Sequence, residues 1–335
     1  MSEDVKRRHF IAGLSAAAFG QPMLMGLLDP APAVPGAVPL PSRLDMGHVT
    51  ELRAWTGQLR SLAQQYGGQA DIVDGVVNRS MRLLSVPGAD AVKRSLGSAL
   101  AELCTVAGWS CFDSGLHDHA RHHLTRATQL ARKARDSYGV ACALWLSGAA
   151  TEEIGQPDDA LKVFQLGELG LSEARNDPRV PALTAWLRAE SASAYAHLGR
   201  PDMARSALAA AQDGWEPPTA DERADMEWLT ALIERDLGRL DVAEQLAASS
   251  VRRWAGSNNR RDAALPSITL AAIHVQAGES HGLILARSAI NAVAPLHSVR
   301  ARKRLEPLAT ALEARPSSDA KELARMARQV AATRA

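Results

Sequence analysis

The chain has 335 residues, of which 46% are apolar and only 4% aromatic, and its formal net charge is +1. This length allows one extended domain or two ordinary domains with a substantial core. The apolar content is mostly alanine and leucine, which favours close-packed helices over a β-fold. A near-neutral chain without a long basic stripe is not expected to bind nucleic acid directly.

The N-terminal segment, residues 1–42, has its own composition. Lys6–Ile11, with two adjacent arginines, precedes an apolar stretch over residues 10–28 and then a proline-rich run. Three interpretations remain open: a twin-arginine export signal cleaved near Ala33, a membrane anchor, or an amphipathic segment that docks on the protein ahead of a polyproline linker. Prolines and glycines interrupt the apolar stretch, so no stable membrane insertion is expected. We favour docking and a cytoplasmic protein, with export as the alternative.

Residues 43–88 are predicted to form an N-terminal capping pair of helices. Apolar periodicity runs through Val49–Tyr66 and Ala70–Leu84, and each stretch ends at a glycine-containing turn.

A hinge then recurs along the chain. A glycine ends one apolar helix, and a small residue five positions later opens the next, at spacings of 39 to 44 residues. This fixed period predicts a helical solenoid over residues 89–300. The hinge pairs are Gly115 with Ala120, Gly155 with Ala160, Gly199 with Ala204 and Gly238 with Ala243, and a degenerate fifth unit pairs Gly278 with Leu283.

The flanking positions repeat as well. Small residues such as Gly108 and Gly148 stand seven positions before the glycine, and large ones such as Leu124 and Phe164 stand four after the alanine. This order resembles the tetratricopeptide repeat (TPR), although the period is longer. The resemblance implies an all-α superhelix of about five helical hairpins. Apolar stretches at Leu305–Leu312 and Asp319–Thr333 predict a C-terminal cap over residues 301–335.

In the TPR family the inner wall of the superhelix carries residues 13, 10, 6 and 3 positions before the hinge glycine. Here those positions include four of the seven tryptophans, which suit a binding groove, or else fill a tightly coiled interior. The resemblance implies a ligand groove formed by Trp109, Phe112, Trp145, Glu152, Trp186, Trp228 and Arg235. The same wall positions include Asp225, and in the fifth unit Leu265, Ile268, Ala272 and Val275.

Other candidate sites are weak. His119 and His123 lie one helical turn apart, but only Asp118 stands beside them in sequence, so we expect a half-exposed helix face and no metal. The cysteines Cys104, Cys111 and Cys142 form no CxxC pair and are expected to be buried free thiols. No catalytic motif is present, so neither an enzyme nor a cofactor is expected. Trp215–Pro218 and Arg260–Asp262 are expected to be loops between repeats.

Two stretches are more specific than a generic repeat. The sequences LCTVAGWSCFDSGLHDHARHHLTRATQLARKARD and LRAWTGQLRSLAQQYGG resemble the regulatory C-terminal region of actinobacterial XRE-type helix-turn-helix transcriptional regulators. The resemblance implies a regulatory module that binds a peptide or a protein, such as a separate DNA-binding regulator, because a helix-turn-helix domain is absent from this chain. The alternatives are an exported scaffold protein and a small-molecule sensor, and exposed end repeats would allow a homodimer.

Overall fold

The protein is described by a computed structural model over residues 40–213 and 215–333. These residues form α-helices and short 3-10 turns without a β-strand, which confirms the all-helical prediction. The export, anchor and docking interpretations concern a segment that lies almost entirely outside the described residues. Within the described part of the chain, no helix is both long and apolar enough to cross a bilayer.

The helices follow one another with short connections. In chain order they are α1 (Met46–Tyr66), α2 (Ala70–Met81), α3 (Asp90–Asp113), α4 (His117–Ala134), α5 (Ser137–Glu153), α6 (Pro157–Leu171), α7 (Val180–His197), α8 (Pro201–Gln212), α9 (Ala220–Asp236), α10 (Leu240–Arg253), α11 (Arg260–Gln276), α12 (His281–Val293), α13 (Val299–Lys303), α14 (Leu305–Glu313) and α15 (Ser318–Ala332). Single 3-10 turns extend α2 and α6, at Arg82–Ser85 and Ser172–Ala174.

Helices α3 to α12 pack as five consecutive helical hairpins. The first helices of successive hairpins, α3, α5, α7, α9 and α11, also contact one another, so they form an inner layer, and the second helices lie outside it. The turn within each hairpin is made by a hinge glycine with φ between 67° and 84°, in the left-handed region that residues with a Cβ rarely adopt.

Complementary side chains explain the repeated offsets in the sequence. The Phe164 ring lies directly against Gly148, and a Cβ on that glycine would come within 2.3 Å of the ring. Leu124 lies against Gly108 in the same way, at 2.6 Å from a Cβ built there. In these two hairpins, therefore, a large residue of the second helix fills a notch left by a glycine of the first helix.

The fifth hairpin departs from the predicted alignment. Its close crossing residue is Gly282 rather than Leu283, and a Cβ on Gly282 would meet the backbone of His274 and Val275 at 2.7 to 2.8 Å. Helix α12 also begins three residues after its hinge glycine, whereas the other second helices begin two residues after theirs.

The C-terminal helices cover the inner face of the fifth hairpin. Leu265, Ile268 and Val275 are buried in one cluster with leucines of α14 and α15, including Leu305 and Leu323. The predicted groove positions of the fifth unit are therefore filled by the chain itself.

The two ends of the helical array also contact each other. Helix α1 packs on α11, and α13 packs on α3. Buried Asp113 joins these ends: its Oδ2 accepts a hydrogen bond from Gly68 N at 2.8 Å, and its Oδ1 accepts one from Ser298 Oγ at 2.7 Å. The backbone N–H of His297 donates to the carbonyl oxygen of Tyr66 at 2.7 Å. The inner layer consequently surrounds a cavity.

Candidate functional site

The cavity inside the helical array has a volume of about 1570 Å³. Its walls come mainly from the inner helices, and residues of the α13–α14 segment also line it. Of the residues predicted to form a groove, those on its wall are Trp109, Trp145, Glu152, Trp186, Trp228 and Arg235.

Phe112 does not line the cavity. It is buried in a separate apolar cluster with Ala70 of α2 and Ala120 of α4, 5.3 Å from the Trp109 ring. The capping helix α2 and the start of α4 cover this face of α3, which the periodicity of one helix does not reveal.

The four tryptophans divide into two pairs. Trp145 and Trp186 lie next to each other, with ring centroids 5.8 Å apart. Trp109 and Trp228 are instead covered by cations from the C-terminal segment, with the Arg300 guanidinium 5.0 Å from the Trp109 ring and that of Arg304 5.2 Å from the Trp228 ring. Both interpretations of the tryptophans therefore remain open: all four line the cavity, but Trp109 and Trp228 are covered by arginines and Trp186 also packs against Trp215, with ring centroids 6.3 Å apart.

Glu152 and Arg235 belong to one polar cluster. Glu152 Oε1 accepts from Ser193 Oγ at 2.6 Å and lies 2.9 Å from His197 Nδ1. On its other side, His197 Nε2 lies 3.2 Å from Asp236, which is paired with Arg235. Hydrogen bonds to Asp236 and Glu152 raise the pKa of His197 to about 10, so the imidazole is charged at neutral pH. The predicted ligand contacts of Glu152 and Arg235 thus already have partners within the protein.

Arg300 lies among three carboxylates at the cavity. Its side chain is only 9% exposed, and its guanidinium is 3.5 to 3.7 Å from the carboxylates of Asp113, Glu153 and Asp262. Its Nε is buried without a hydrogen-bond partner in the described part of the chain. Burial alone would raise the pKa of Glu153, but Arg304 and Arg300 hold it below its usual value.

The expectation of a loop at Arg260–Asp262 is wrong, because α11 begins at Arg260. The Asn259 side chain accepts from Asp262 N at 3.2 Å and so caps this helix. Arg261 and Asp262 form a buried two-point ion pair, at 2.7 and 2.8 Å, on the cavity wall.

Two acidic side chains of the cavity have no basic partner among the described residues. Glu190 accepts only a 3.4 Å hydrogen bond from Trp145 Nε1, and Asp225 makes no hydrogen bond or ion pair. Burial and the nearby Glu152 raise the pKa of Glu190 to about 8. Burial and Asp262 raise the pKa of Asp225 well above its usual value. At neutral pH Glu190 is therefore largely protonated, and the cavity has room for a further cation.

Sequence reasoning missed Glu190, although a signal was present. Glu190 stands four residues after Trp186 on α7, so both side chains lie on one face of the helix. The four wall positions taken from the TPR family skip this residue.

The cavity edge formed by α1, α3 and the end of α4 is basic. Arg53, Arg94 and Arg135 are exposed there and have no acidic partner among the described residues. Arg135 adopts φ 58° at the end of α4, a left-handed position where glycine or asparagine is usual.

A second cluster of polar side chains lies outside the cavity. Asp74, Cys111 and His123 place one potential ligand atom each within 4.8 Å of the others. The expectation of a half-exposed helix face is wrong for His123, which is buried because α2 packs its Asp74 against it.

Comparison with known proteins does not assign the chain to a family. No protein-family model matches the chain, and no curated protein matches it significantly.

Proposed function

We propose that the protein is a non-enzymatic, TPR-like helical-repeat module that binds a peptide in its central cavity and acts in transcriptional or signalling control. The observation that carries this proposal is the cavity itself, which combines four tryptophans with unpaired charged groups. Its volume of about 1570 Å³ exceeds the roughly 300–1,000 Å³ of ordinary small-molecule pockets. The size therefore favours a peptide over a small metabolite.

The chemistry of the wall supports a cationic group on this peptide. Glu190 lies beside the Trp145–Trp186 pair and has no basic partner among the described residues. A carboxylate next to aromatic faces attracts an ammonium or guanidinium group through both charge and cation–π contacts. An incoming ammonium would take the place of the proton that Glu190 holds at neutral pH.

The basic edge supports the opposite end of the same ligand. Arg53, Arg94 and Arg135 offer donors that match a carboxylate or the carbonyl groups of an extended peptide. A peptide has an amino and a carboxyl terminus, so one chain satisfies both the acidic interior and the basic edge.

The contact between the two ends of the helical array supports a regulatory role. A peptide inside the cavity lies against α3, α5, α7 and α9, and it reaches the arginines of the segment that closes the ring. Binding would bias how the two ends of the array meet, and so change the surface offered to a separate DNA-binding regulator.

The test uses the full chain and three pools of synthetic heptapeptides. The first pool has free N-termini without Lys, Arg or His, the second is acetylated and contains one Lys, and the third is acetylated without any cation. Peptides that co-elute with the protein are counted by mass spectrometry. We expect the first two pools to be retained at least about 10-fold more than the third, which is the ratio expected for a charge-assisted hydrogen bond.

Two variants and one control locate the binding. Glu190→Gln should abolish the preference for cationic pools, and Trp145→Ala with Trp228→Ala should lose all retention while keeping its helical circular dichroism. Leu169→Ala, at an exposed residue outside the cavity, should bind as the unaltered protein does. Failure to retain any peptide, or equal retention by the double variant, would refute peptide binding. Equal retention of the three pools would refute only the cation site.

A further inference from the structure

Three helices bring metal-ligating side chains together at the junction of the N-terminal pair with the first hairpin. Asp74 lies on α2, Cys111 on α3 and His123 on α4, and their ligand atoms lie within 4.8 Å of one another. None of these residues lines the large cavity. The cluster therefore needs an explanation independent of the proposed peptide site.

The contacts within this cluster leave donor atoms unused. His123 Nε2 contacts Asp74 Oδ1, while His123 Nδ1 is buried with no hydrogen-bond partner among the described residues. The His123 side chain is only 4% exposed, and Cys111 is a fully buried free thiol. Buried polar atoms usually have partners, so an imidazole with one unpartnered nitrogen, next to a buried thiol and with its other nitrogen on a carboxylate, suits a site for a metal ion.

A fourth side chain stands next to the cluster. His119 Nδ1 lies 3.3 Å from Asp74 Oδ2, and His119 is exposed and one helical turn before His123. Two histidines at i and i+4 lie on one helix face, and here each of them contacts Asp74.

From this placement we propose that Cys111, His123, Asp74 and His119 bind a Zn²⁺ ion. One thiolate, two imidazoles and one carboxylate make a four-coordinate donor set that suits zinc. A thiolate is a poor ligand for Mg²⁺ or Ca²⁺, which take oxygen ligands.

The proposed ion is structural. Four protein ligands leave no open coordination position, as in zinc sites that hold a fold together. The ion would join α2 of the N-terminal pair to α3 and α4, and thereby fix the cap on the first hairpin. It would stabilise the folded state, because the unfolded chain does not hold these ligands together.

The test starts from the full chain, freed of metal with a chelator under reducing conditions and titrated with Co²⁺. A tetrahedral site with a thiolate ligand gives visible d–d absorption and a sulfur-to-cobalt charge-transfer band. We expect one Co²⁺ per chain, stoichiometric displacement by Zn²⁺, and a melting temperature raised by several degrees with Zn²⁺ bound.

Matched variants assign the ligands. Cys111→Ser should lose the charge-transfer band, and Asp74→Asn should weaken Zn²⁺ binding at least about 10-fold. Cys104→Ala removes another buried thiol of the same helix, two turns away, and should keep the band. His119→Ala should weaken binding, because it removes the exposed fourth ligand.

The proposal fails if the chain takes up less than about 0.1 equivalent of Zn²⁺, or if Cys111→Ser keeps the same band. It also fails if Co²⁺ binds only through imidazoles without a charge-transfer band, which would indicate adventitious binding at other histidines. Should Cys111→Ser not fold, the nearly isosteric Asp74→Asn decides the question through the same titration, since unchanged affinity there overturns the site.

Discussion

The notch at Gly148 offers a direct test of how the hairpins pack. In Gly148→Ala, the new Cβ would lie 2.3 Å from Cε1 and 2.6 Å from Cδ1 of Phe164. Ordinary carbon contacts begin near 3.4 Å, so the ring or the two helices must move by about 1 Å. Phe164 is 1% exposed, so its ring is enclosed by other residues and any movement must displace them or its own helix.

The expected magnitude combines two opposing effects. Overpacking of this kind costs about 1–3 kcal/mol, while replacing glycine by alanine inside a helix gains about 1 kcal/mol. We therefore expect a net loss in the free energy of unfolding of about 0–2 kcal/mol.

A control variant separates the two effects. Gly57 lies in the middle of α1, and a Cβ there would meet nothing within 4 Å. Gly57→Ala should therefore show the helix gain alone, and the difference between the two variants should be about 1–3 kcal/mol. Urea denaturation followed by circular dichroism measures both.

A double-mutant cycle provides the decisive result. Phe164→Leu shortens the side chain that fills the notch, so Gly148→Ala should cost less in that background, with a coupling energy of about 1 kcal/mol or more. If Gly148→Ala stabilises the protein as much as Gly57→Ala does, or if the cycle shows no coupling, then the glycine and the ring do not determine the approach of α5 and α6.

Three further predictions concern the polar groups. Asp113→Ala removes the acceptor of two buried hydrogen bonds, from Gly68 N and Ser298 Oγ, and should lower the free energy of unfolding by about 3 kcal/mol; a loss below about 1 kcal/mol in urea denaturation would contradict its role in joining the ends. Glu190 has a folded-state pKa of about 8 against an ordinary 4.5, so folding takes up a proton and its contribution to stability falls as pH rises from 4.5 to 8. Glu190→Gln should therefore have a higher free energy of unfolding than the unaltered protein at pH 8, with no such gain near pH 4. If the free energies of unfolding of the two proteins run parallel from pH 4 to pH 8, this prediction is refuted. His197 has a folded-state pKa of about 10 against 6.5, so its pairing stabilises fully below pH 6.5 and the effect is lost as pH rises through 10. His197→Gln should be less stable at pH 6 and match the unaltered protein above pH 10 in thermal melts, whereas a difference that persists above pH 10 would point to packing instead.

The features that sequence reasoning found are local ones. The turn at Gly155 and the notch at Gly148 are set by neighbours within about twenty residues, so each leaves a repeated offset in the sequence. Counted from these hinge glycines, the wall positions of the TPR family also predict Trp145 and Trp186 on the inner wall, where both line the cavity.

The features it missed depend on residues far apart in the chain. Arg300 enters the cavity only because α13 returns to α3, nearly two hundred residues earlier. The pKa of Glu190 is set by burial and by Glu152 on another helix, which no spacing in α7 reveals. Asp74 lies 45 residues before His119 and 49 before His123 in sequence, and only the packing of α2 on the first hairpin brings it to Cys111 and the histidines.

The Asp113 contact also bears on how the protein loses its structure. In a linear stack of repeats, each terminal unit has one neighbour, so stability is lowest at the ends and unfolding spreads inward. Here the turn after α1 and the start of α13 are held on one carboxylate, so both ends of the described array have neighbours on each side. Each hairpin is then part of a closed ring of helices, so opening one contact between hairpins strains the others. Thermal unfolding should therefore be concerted rather than progressive. Because the closing contact spans 185 residues, the ring should also form late and slowly during folding.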